Sequence, residues 1–538
     1  MKKLVYNPYL PSYEYVPDGE PHVFGDRIYL YGSHDRFNGG NFCLNDYVCY
    51  SAPVTDVSDW RYEGVIYRKE QDIRNHDIPA DAEPLTSVLP GYEVTDPETQ
   101  LNPPGIHAMW APDVVQGPDG RFYLYYCLDI LPEIGVAVCD TPAGQYEFLG
   151  LVRHSDGTPL GKKEGDLIQF DPGVFLDEDG TVYLYSGNAP MKKEQVNDRQ
   201  GSTVMTLCDD MLTLKTEPRR LMPDVGNSEG TGYEGHEFFE ASSIRRINGK
   251  YYFIYSSIQS HELCYAVSDR PDSGYTYGGT LVDIGDVFLN GREAKDAVNC
   301  VGNTHGGIEC ADGQWYVFYH RQTNRSSYSR QACAEKIYFN EDGSISQVEV
   351  TSCGLNDGPL PADRTYPANI CCHLTINGQS TYAHPMAMGD RYPYLTQDDG
   401  DITPEEPGFP PAAQKDAAFP VQYVTNFKDK STMGFKYFDC RNVTGITLTV
   451  RGKGKGRFVI STEPNAALSE KAAAEKMPEE KPSENSAILG EFAAEIDSAD
   501  WITVSGDVRV PDGKQALYVT CVDFEGTVDI AQIGFMTE

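Results

Sequence analysis

The sequence predicts an all-β protein, a five-bladed β-propeller followed by a β-sandwich domain of jelly-roll type. Five segments share a pattern in which a Gly leads into an aromatic-rich run: GDRIYLYGS, GRFYLYYC, GTVYLYSG, GKYYFIYSS and GQWYVFYH. The central tyrosines of these runs are 94, 60, 69 and 64 residues apart, a period typical of an array of like units. Helical periodicity is nearly absent through residue 350. These observations favour a propeller, and a β-sandwich is the alternative.

A tight turn precedes four of the five runs. Asp-Gly stands at 119–120, 179–180 and 312–313, and Asn-Gly stands at 248–249. Such dipeptides favour the positive φ of a type I′ hairpin. We therefore expect two antiparallel strands to meet at each of these turns.

The first interval between runs is too long for one blade. It contains the polar, Pro-rich stretch from Arg68 to Gly105. Long surface connections of this kind often carry function. We expect a loop that lies over one face of the blades and walls a binding cleft.

The composition changes after about residue 355. We predict a propeller domain over residues 1–355 and a second all-β domain over residues 366–538. Its predicted strands are ITLTVRG, GRFVIST, WITVSGDV and QALYVTCVDF. Residues 469–485 are charged and poor in apolar side chains, which is typical of a surface loop or a short helix.

Charge and cysteine usage exclude several function classes. The chain has 44 Lys and Arg against 80 Asp and Glu, a formal charge of −36, which disfavours nucleic acid and membrane surfaces as partners. No run of 18 apolar residues occurs, and the N-terminal segment lacks the apolar core of an export signal. The fourteen Cys form no CxxC framework. We therefore expect a cytoplasmic protein.

One ionisable residue stands seven to nine positions before the Gly of each run. These residues are Asp18, Asp113, Asp171, Glu240 and His305. Inner strands of a propeller run along its axis, so the five groups would converge. Taken singly, such acids commonly cap turns. Gathered in one basin they cannot all ionise, and a protonated acid beside an ionised base is what glycoside hydrolysis requires.

The motifs resemble those of glycoside hydrolase family 43. NPYLPSYEYVPDGEPHVFGDRIYLYGSHD, HAMWAPDVV, FDPGVFLDEDGTVYLYSG, FFEASSIRRINGKYYFIYSS and NTHGGIECADGQWYVFYHR occur in that order over residues 5–350. The resemblance implies a five-bladed propeller, an inverting mechanism with three acids, and action on plant polysaccharide that contains arabinose or xylose.

The resemblance assigns roles to the three acids. Asp18 in YVPDGEP matches the general base, although a Gly replaces the family's second Pro and leaves Glu20 as a rival. Asp171 in FDPGVF matches the acid that orients the proton donor and tunes its pKa. Glu240 in FFEASSIRR matches the donor, and two preceding phenylalanines would raise its pKa. An inverting pair would place the carboxyls of Asp18 and Glu240 about 6.5 to 9.5 Å apart.

The resemblance also implies accessory residues. Trp110 would stack on a sugar or fill the core. Arg330 matches an arginine that reaches the sugar site, with a surface position as the alternative. Asp113 would have a structural or pocket-ordering role. His305 matches an axial histidine that touches a bound calcium in many members, so structural Ca²⁺ at the propeller centre is the one cofactor implied, and a hydrogen-bonding histidine is the alternative.

The C-terminal part resembles a family 6 carbohydrate-binding module through GFKYFDCRNVTGITLTVRGKGKGRFVIS and the segment from residue 499 onward. Its final loop, FEGTVD, lacks the Asn that such modules use, and we expect Trp501 to belong to the core. This domain would buttress the propeller or shape its cleft.

These inferences define one function and one alternative. The function is an inverting hydrolase that releases α-L-arabinofuranose or β-D-xylose from small oligosaccharides derived from arabinoxylan or xylan. The alternative is a non-catalytic sugar-binding propeller, which would not need the full set of acids.

Overall fold

The computed structural model describes residues 3–85, 94–398, 421–468 and 487–538, and nearly all of their regular structure is β-strand. Five sheets of consecutive antiparallel strands follow one another up to Ile337, four with four strands and the last with three. The predicted five-bladed propeller is confirmed. Its strands are β1 (Glu20–Phe24), β2 (Arg27–Tyr31), β3 (Tyr47–Pro53), β4 (Arg61–Tyr67), β5 (Met109–Gln116), β6 (Phe122–Leu128), β7 (Ile134–Cys139), β8 (Glu147–Leu151), β9 (Gly173–Leu176), β10 (Val182–Ser186), β11 (Thr203–Leu207), β12 (Arg219–Arg220), β13 (Phe238–Ile247), β14 (Lys250–Ser257), β15 (Glu262–Ser268), β16 (Thr276–Asp283), β17 (Ile308–Ala311), β18 (Gln314–Gln322) and β19 (Arg330–Ile337).

Each aromatic run forms the second strand of its blade, namely β2, β6, β10, β14 and β18. The aromatic side chains pack between neighbouring blades. Tyr31 of the first blade shares a core cluster with Tyr126 of the second, and Tyr185 of the third shares one with Phe253 of the fourth. The repeat therefore arises because every blade must bury both faces against another blade.

The turns divide into two kinds. Asn248-Gly249 and Asp312-Gly313 connect their strands directly, and all four residues have positive φ, as a type I′ turn requires. At 119–120 and 179–180 only the Gly has positive φ. The type I′ prediction is wrong there, because loops of five residues separate β5 from β6 and β9 from β10.

A nine-stranded sheet follows the propeller. Its strands wrap around one large core cluster, which is consistent with a β-sandwich. ITLTVRG and GRFVIST are one strand rather than two, interrupted by register shifts. The strands are β20 (Leu360–Pro361), β21 (Thr365–Pro367), β22 (His373–Ile376), β23 (Tyr394–Gln397), β24 (Gln422–Phe427), β25 (Ser431–Cys440), β26 (Val443–Ser461), β27 (Ile488–Asp507) and β28 (Gly513–Thr537).

Lys436 of β25 joins the second sheet system to the propeller. Its buried Nζ lies 2.9 Å from carboxylate oxygens of both Asp286 and Glu349, which follow the fourth and fifth blades. The domain limits at 355 and 366, and the likeness to a family 6 module, stay predictions. Trp501 is only half-buried, and Arg451 lies over its ring at 4.3 Å.

The long connection after the first blade contains the short helix α1 (Pro97–Gln100). Its described residues contact the loop that carries Phe42, through Gly40 and Arg36, and do not line the central cavity. Residues 86–93 and 469–486, which include the predicted 469–485 segment, lie outside the described residues. The described part contains no helix long and apolar enough to cross a membrane.

Candidate active site

A cavity of about 300 Å³ opens on the propeller axis, at the face where the inner strands begin. It gathers residues from all five blades and from the segment after β22. The lining residues are Asp18, Phe42, Cys43, Trp110, Ala111, Phe170, Asp171, Asn188, Met191, Phe239, Glu240, Ser260, Asn303, His305, Arg330 and Tyr382.

Four of the five repeated ionisable residues reach this cavity, and Asp113 does not. Asp113 lies three residues before β5 ends at Gln116, whereas Asp18 lies six residues before β1 ends at Phe24. The turn after β5 is longer than the turn after β1 and takes up part of the distance between the acid and the Gly. Residues at the same distance from the Gly in the sequence therefore lie at different depths along the propeller axis. The predicted Trp110 and Arg330 are both in the cavity.

Asp18 is buried and held in an ionised state. The Nη1 of Arg330 donates to its Oδ1 at 3.0 Å. Burial is the largest influence and raises the pKa of Asp18, but the Arg330 guanidinium, together with the neighbouring His320 and His305 and a hydrogen bond with Ser33, more than offsets it and holds the pKa below its usual value. Asp18 has φ of 55°, a left-handed conformation that is rare outside Gly and is often found at functional sites.

Arg330 is fixed by Asp35, which the sequence analysis did not identify. Asp35 accepts from the Nε and Nη2 of Arg330 at 2.8 and 2.9 Å, a two-point contact between fully buried side chains. The guanidinium also lies 4.8 Å from the ring centre of Phe42. Arg330 is therefore not a surface residue, and its position is set independently of any substrate.

His320 is a second unpredicted residue, and its tautomer is defined by its contacts. The backbone N–H of Asp18 donates to Nδ1 at 3.0 Å, and Nε2 lies 2.8 Å from the carbonyl oxygen of Asn303. The proton is therefore on Nε2 and the ring is neutral, in line with burial lowering its pKa to about 3. His320 positions the backbone of Asp18, and the positive charge beside that carboxylate belongs to Arg330.

Asp171 and Glu240 form the acidic half of the site. β13 is irregular on both sides of Glu240, which turns this side chain into the cavity. The same irregularity gives Ala241 a φ of 66° and lets its N–H donate to Asp171. Burial and then the charge of Asp18 raise the pKa of Glu240 to about 8. Burial and then Glu240 raise the pKa of Asp171 well above its usual value. The two carboxyls titrate as a pair that retains a proton at neutral pH.

The remaining walls are mainly apolar. The ring of Trp110 packs edge-on against Phe170 at 5.1 Å and Phe42 at 6.1 Å. Its buried indole N–H has no hydrogen-bond partner among the described residues. Trp110 thus combines core contacts with a part of its ring that faces the cavity, where a sugar ring can pack against it.

Glu20 lies deeper on the axis and does not line the cavity. Its Oε1 accepts from Arg245 Nη2 at 2.8 Å and from Ser243 Oγ at 2.8 Å. Nearby, His22 Nε2 and Asp113 Oδ1 are 2.6 Å apart. This set of groups is a buried polar network on the axis, so the geometry favours Asp18 over Glu20 as the base.

The described side chains on the axis that could hold a cation do not include the predicted His305. His305 is neutral, with a pKa lowered to about 4 by burial, and its nearest carboxylate is Asp171 at 3.6 Å. Among the described residues it belongs to no group of three metal-ligating side chains. Glu20, His22 and Asp113 form one, with carboxylate oxygens of the kind that Ca²⁺ takes and waters to complete its shell, although Arg245 already pairs with Glu20.

Comparison with known proteins identifies the family. The model of glycosyl hydrolases family 43 matches residues 85–345. A xylosidase/arabinosidase of Thermoclostridium stercorarium is 46% identical over 525 residues, which cover 97% of this chain and 96% of the relative. The chain belongs to glycosyl hydrolase family 43. It is therefore a glycoside hydrolase, and the resemblance noted in the sequence is confirmed.

Other similar proteins match a smaller share of this chain. A xylosidase/arabinosidase of Bacteroides ovatus is 28% identical, over 63% of this chain and 97% of the relative. A solved β-xylosidase/α-arabinofuranosidase from a compost microbial metagenome, with xylotriose and in a calcium-free form, is 24% identical. It covers 63% of this chain and 96% of its own, with a TM-score of 0.45.

Within this family 43 chain, sequence motifs identified the acids and Arg330 but missed two residues that hold Arg330 and Asp18 in place. Asp35 and His320 each lie at the end of a quoted motif, in YGSHD and VFYHR, without a pattern of their own. Tyr382 lies beyond the propeller and had no sequence signal at all.

Proposed function

We propose that this enzyme releases terminal α-L-arabinofuranose or β-D-xylose from oligosaccharides derived from arabinoxylan or xylan, with inversion. One observation carries the proposal. Asp18, kept ionised by Arg330, shares a single cavity with the Asp171 and Glu240 pair, which retains a proton. The names of the relatives, xylosidase/arabinosidase, support the choice of pentoses.

The mechanism assigns one proton transfer to each side of the scissile bond. Glu240 gives its proton to the glycosidic oxygen as the bond from that oxygen to the anomeric carbon breaks. Asp18 takes a proton from a water whose oxygen forms the new bond on the opposite face. The leaving sugar departs as an alcohol, the pentose has inverted configuration, and solvent exchange returns the proton from Asp18 to Glu240.

Asp171 and Arg330 make these transfers possible near neutral pH. Asp171 keeps a proton on the acidic pair, since two carboxylates in one buried site repel each other. Arg330 keeps Asp18 ionised beside that pair. The two environments shift the carboxyl pKa values in opposite directions, so that Glu240 can act as an acid while Asp18 acts as a base.

The size of the cavity supports an exo-acting enzyme on short substrates. About 300 Å³ with buried acids is suited to one terminal pentose rather than to the middle of a polymer. The accessible part of the Trp110 ring would contact that sugar.

The decisive experiment measures hydrolysis of 4-nitrophenyl α-L-arabinofuranoside and β-D-xyloside side by side. Proton NMR then records the first anomer formed from the better oligosaccharide. We expect cleavage and an inverted product, and we expect Asp18→Asn to lose at least about 10²-fold in kcat. A retained first product or a fully active Asp18→Asn would contradict the mechanism. Binding of pentosides without any turnover would support the sugar-binding propeller instead.

We also propose that the enzyme works in a reducing compartment, the cytoplasm. All fourteen cysteines lie within the described residues, and each is a free thiol. Thiol titration of the denatured protein, purified under non-reducing conditions from its own cells, should find fourteen thiols. A lower number that reducing agent restores would contradict this location.

A further inference from the structure

Tyr382 brings a side chain from outside the propeller into the cavity. It lies between β22 and the short helix α2 (Pro385–Met388), in the chain that follows the last blade. It lines the cavity together with Glu240 and Ser260. The cavity is therefore not completed by the five blades alone.

The backbone around Tyr382 is tied to the propeller on both sides. The N–H of Val301 donates to the carbonyl of Thr381 at 3.0 Å, and the N–H of Ala383 donates to the carbonyl of Val301 at 2.7 Å. A few residues earlier, the N–H of Leu374 donates to the carbonyl of Val298 at 2.7 Å. These bonds hold Tyr382 as an added strand residue beside the loop that leads to His305.

A small apolar cluster supports the same attachment. Cys300 of the propeller packs with Ala383 and Met388, and with the partly buried Tyr392 and Tyr394. Burial of this kind fixes the segment by the hydrophobic effect as well as by hydrogen bonds. The ring of Tyr382 thus has a defined place at the cavity and need not be ordered by substrate.

The exposed fractions of the lining side chains show which of them lie at the floor of the cavity and which at its mouth. Asp18, His305 and Arg330 are 5%, 7% and 2% exposed, whereas Tyr382 is 39% exposed. Burial raises the pKa of Tyr382, a hydrogen bond with Ser260 lowers it, and the charge of Glu240, which lines the same cavity, raises it further. Tyr382 lies at the mouth, beside the acid.

We propose that Tyr382 forms a wall of the subsite for the leaving sugar. The proposal rests on the proposed function. Glu240 must reach the oxygen between the terminal pentose and the leaving sugar, so a flat ring beside Glu240 at the mouth faces that leaving sugar. Tyrosine offers sugars an apolar face and a polar tip. Tyr382 therefore selects what the pentose is attached to, and the chain after the propeller takes part in specificity.

The test compares Tyr382→Ala on two substrates that share the terminal pentose. One is the pentosyl fluoride, whose leaving group makes no contact with this wall, and the other is an oligosaccharide with the same terminal pentose. We expect kcat/KM for the oligosaccharide to fall about tenfold or more, mainly through KM. For the fluoride it should stay within about threefold. Activity on the fluoride also shows that the variant cavity is folded.

Two further variants refine the test. Tyr382→Phe should keep the oligosaccharide kcat/KM within about threefold if the ring carries the contact. Met386→Ala is the matched control, because Met386 is 72% exposed in the same segment and does not line the cavity. It should change neither substrate.

The outcomes are distinct. Equal losses on both substrates in Tyr382→Ala, or no loss on either, would overturn the role of Tyr382 and leave the proposed function standing. Wild-type enzyme that cleaves neither pentosyl fluoride nor oligosaccharide would overturn both.

Discussion

Arg330 Nη1 donates to Oδ1 of Asp18 at 3.0 Å and so links the last blade of the propeller to the start of the first. Both side chains are buried, and Arg330 is held on its far side by Asp35. The contact closes the ring of blades and sets the charge of the base in one arrangement.

Asp35 should control the acid limb of the pH profile without touching the substrate. Asp35→Asn removes a carboxylate that repels the Asp18 carboxylate and competes with it for Arg330. The pKa of Asp18 therefore falls. The acid limb of kcat/KM should move to lower pH by about 0.5 to 1 unit. Asp140→Asn, at an exposed ion pair with Arg121, is the control. An unmoved limb in Asp35→Asn would refute the role of Asp35.

Glu240 should set the alkaline limb. The acid must be protonated to act and its pKa is raised to about 8, so wild-type activity should fall as the pH rises through about 8. Glu240→Gln should lose about 10²- to 10⁴-fold on oligosaccharides and less on pentosyl fluorides, which need no protonated leaving group. Kinetics from pH 5 to 10 on both substrates check this. Equal losses on both would argue against a donor role.

The raised pKa of Glu240 should also appear in stability. A carboxyl whose pKa is higher in the native state than in the unfolded chain lowers the free energy of unfolding as the pH rises. The reason is that the unfolded chain loses the proton at lower pH than the native protein does. The loss begins near the usual value of 4.5 and is complete above about 8. We therefore expect the Tm of Glu240→Gln, relative to wild type, to increase from pH 4 to pH 9 by about 2 °C or more. A difference in Tm that does not change with pH would contradict this ionisation.

Arg245 should contribute strongly to the free energy of unfolding, whereas its neighbour Arg246 should contribute little. It contacts Glu20 at 2.8 Å and Glu309 at 3.3 Å on the buried axis. Arg245→Met leaves these carboxylates without a charge partner and should cost about 3 to 5 kcal/mol in the free energy of unfolding. Arg246→Met is the matched control, since Arg246 pairs with the exposed Glu178 and should cost about 1 kcal/mol or less. Denaturant unfolding of both variants checks the difference, and similar losses would refute it.

Chelation should leave the enzyme unchanged, because Arg245 supplies the positive charge that a cation on the axis would supply. We expect kcat/KM and Tm to be the same, within about 1.5-fold and 1 °C, after EDTA treatment and after addition of millimolar Ca²⁺. Loss of activity with EDTA that calcium restores would show that the sequence-based expectation of calcium was right.

Local chemistry determined much of this protein from the sequence alone. The aromatic runs specify the second strand of each blade. Successive side chains of a strand point to opposite faces, and both faces of a blade must be buried, so large apolar residues follow one another there. Asn248-Gly249 and Asp312-Gly313 specify tight turns because those residues tolerate positive φ. The family motifs around Asp18, Asp171 and Glu240 predicted which acids would share a site.

Only the tertiary structure decided how those groups act together. Asp18 and Glu20 have different roles because Asp18 contacts Arg330 and Glu20 contacts Arg245. Both arginines lie more than 200 positions away in the sequence. The position of Asp113 depends on the length of one turn, and the aim of Glu240 depends on the irregular register of β13. Tyr382 joins the cavity through backbone hydrogen bonds that carry no sequence preference. Sequence periodicity reports which side chains are buried, but pKa values and substrate contacts depend on distances between blades, and these exist only once the ring has closed.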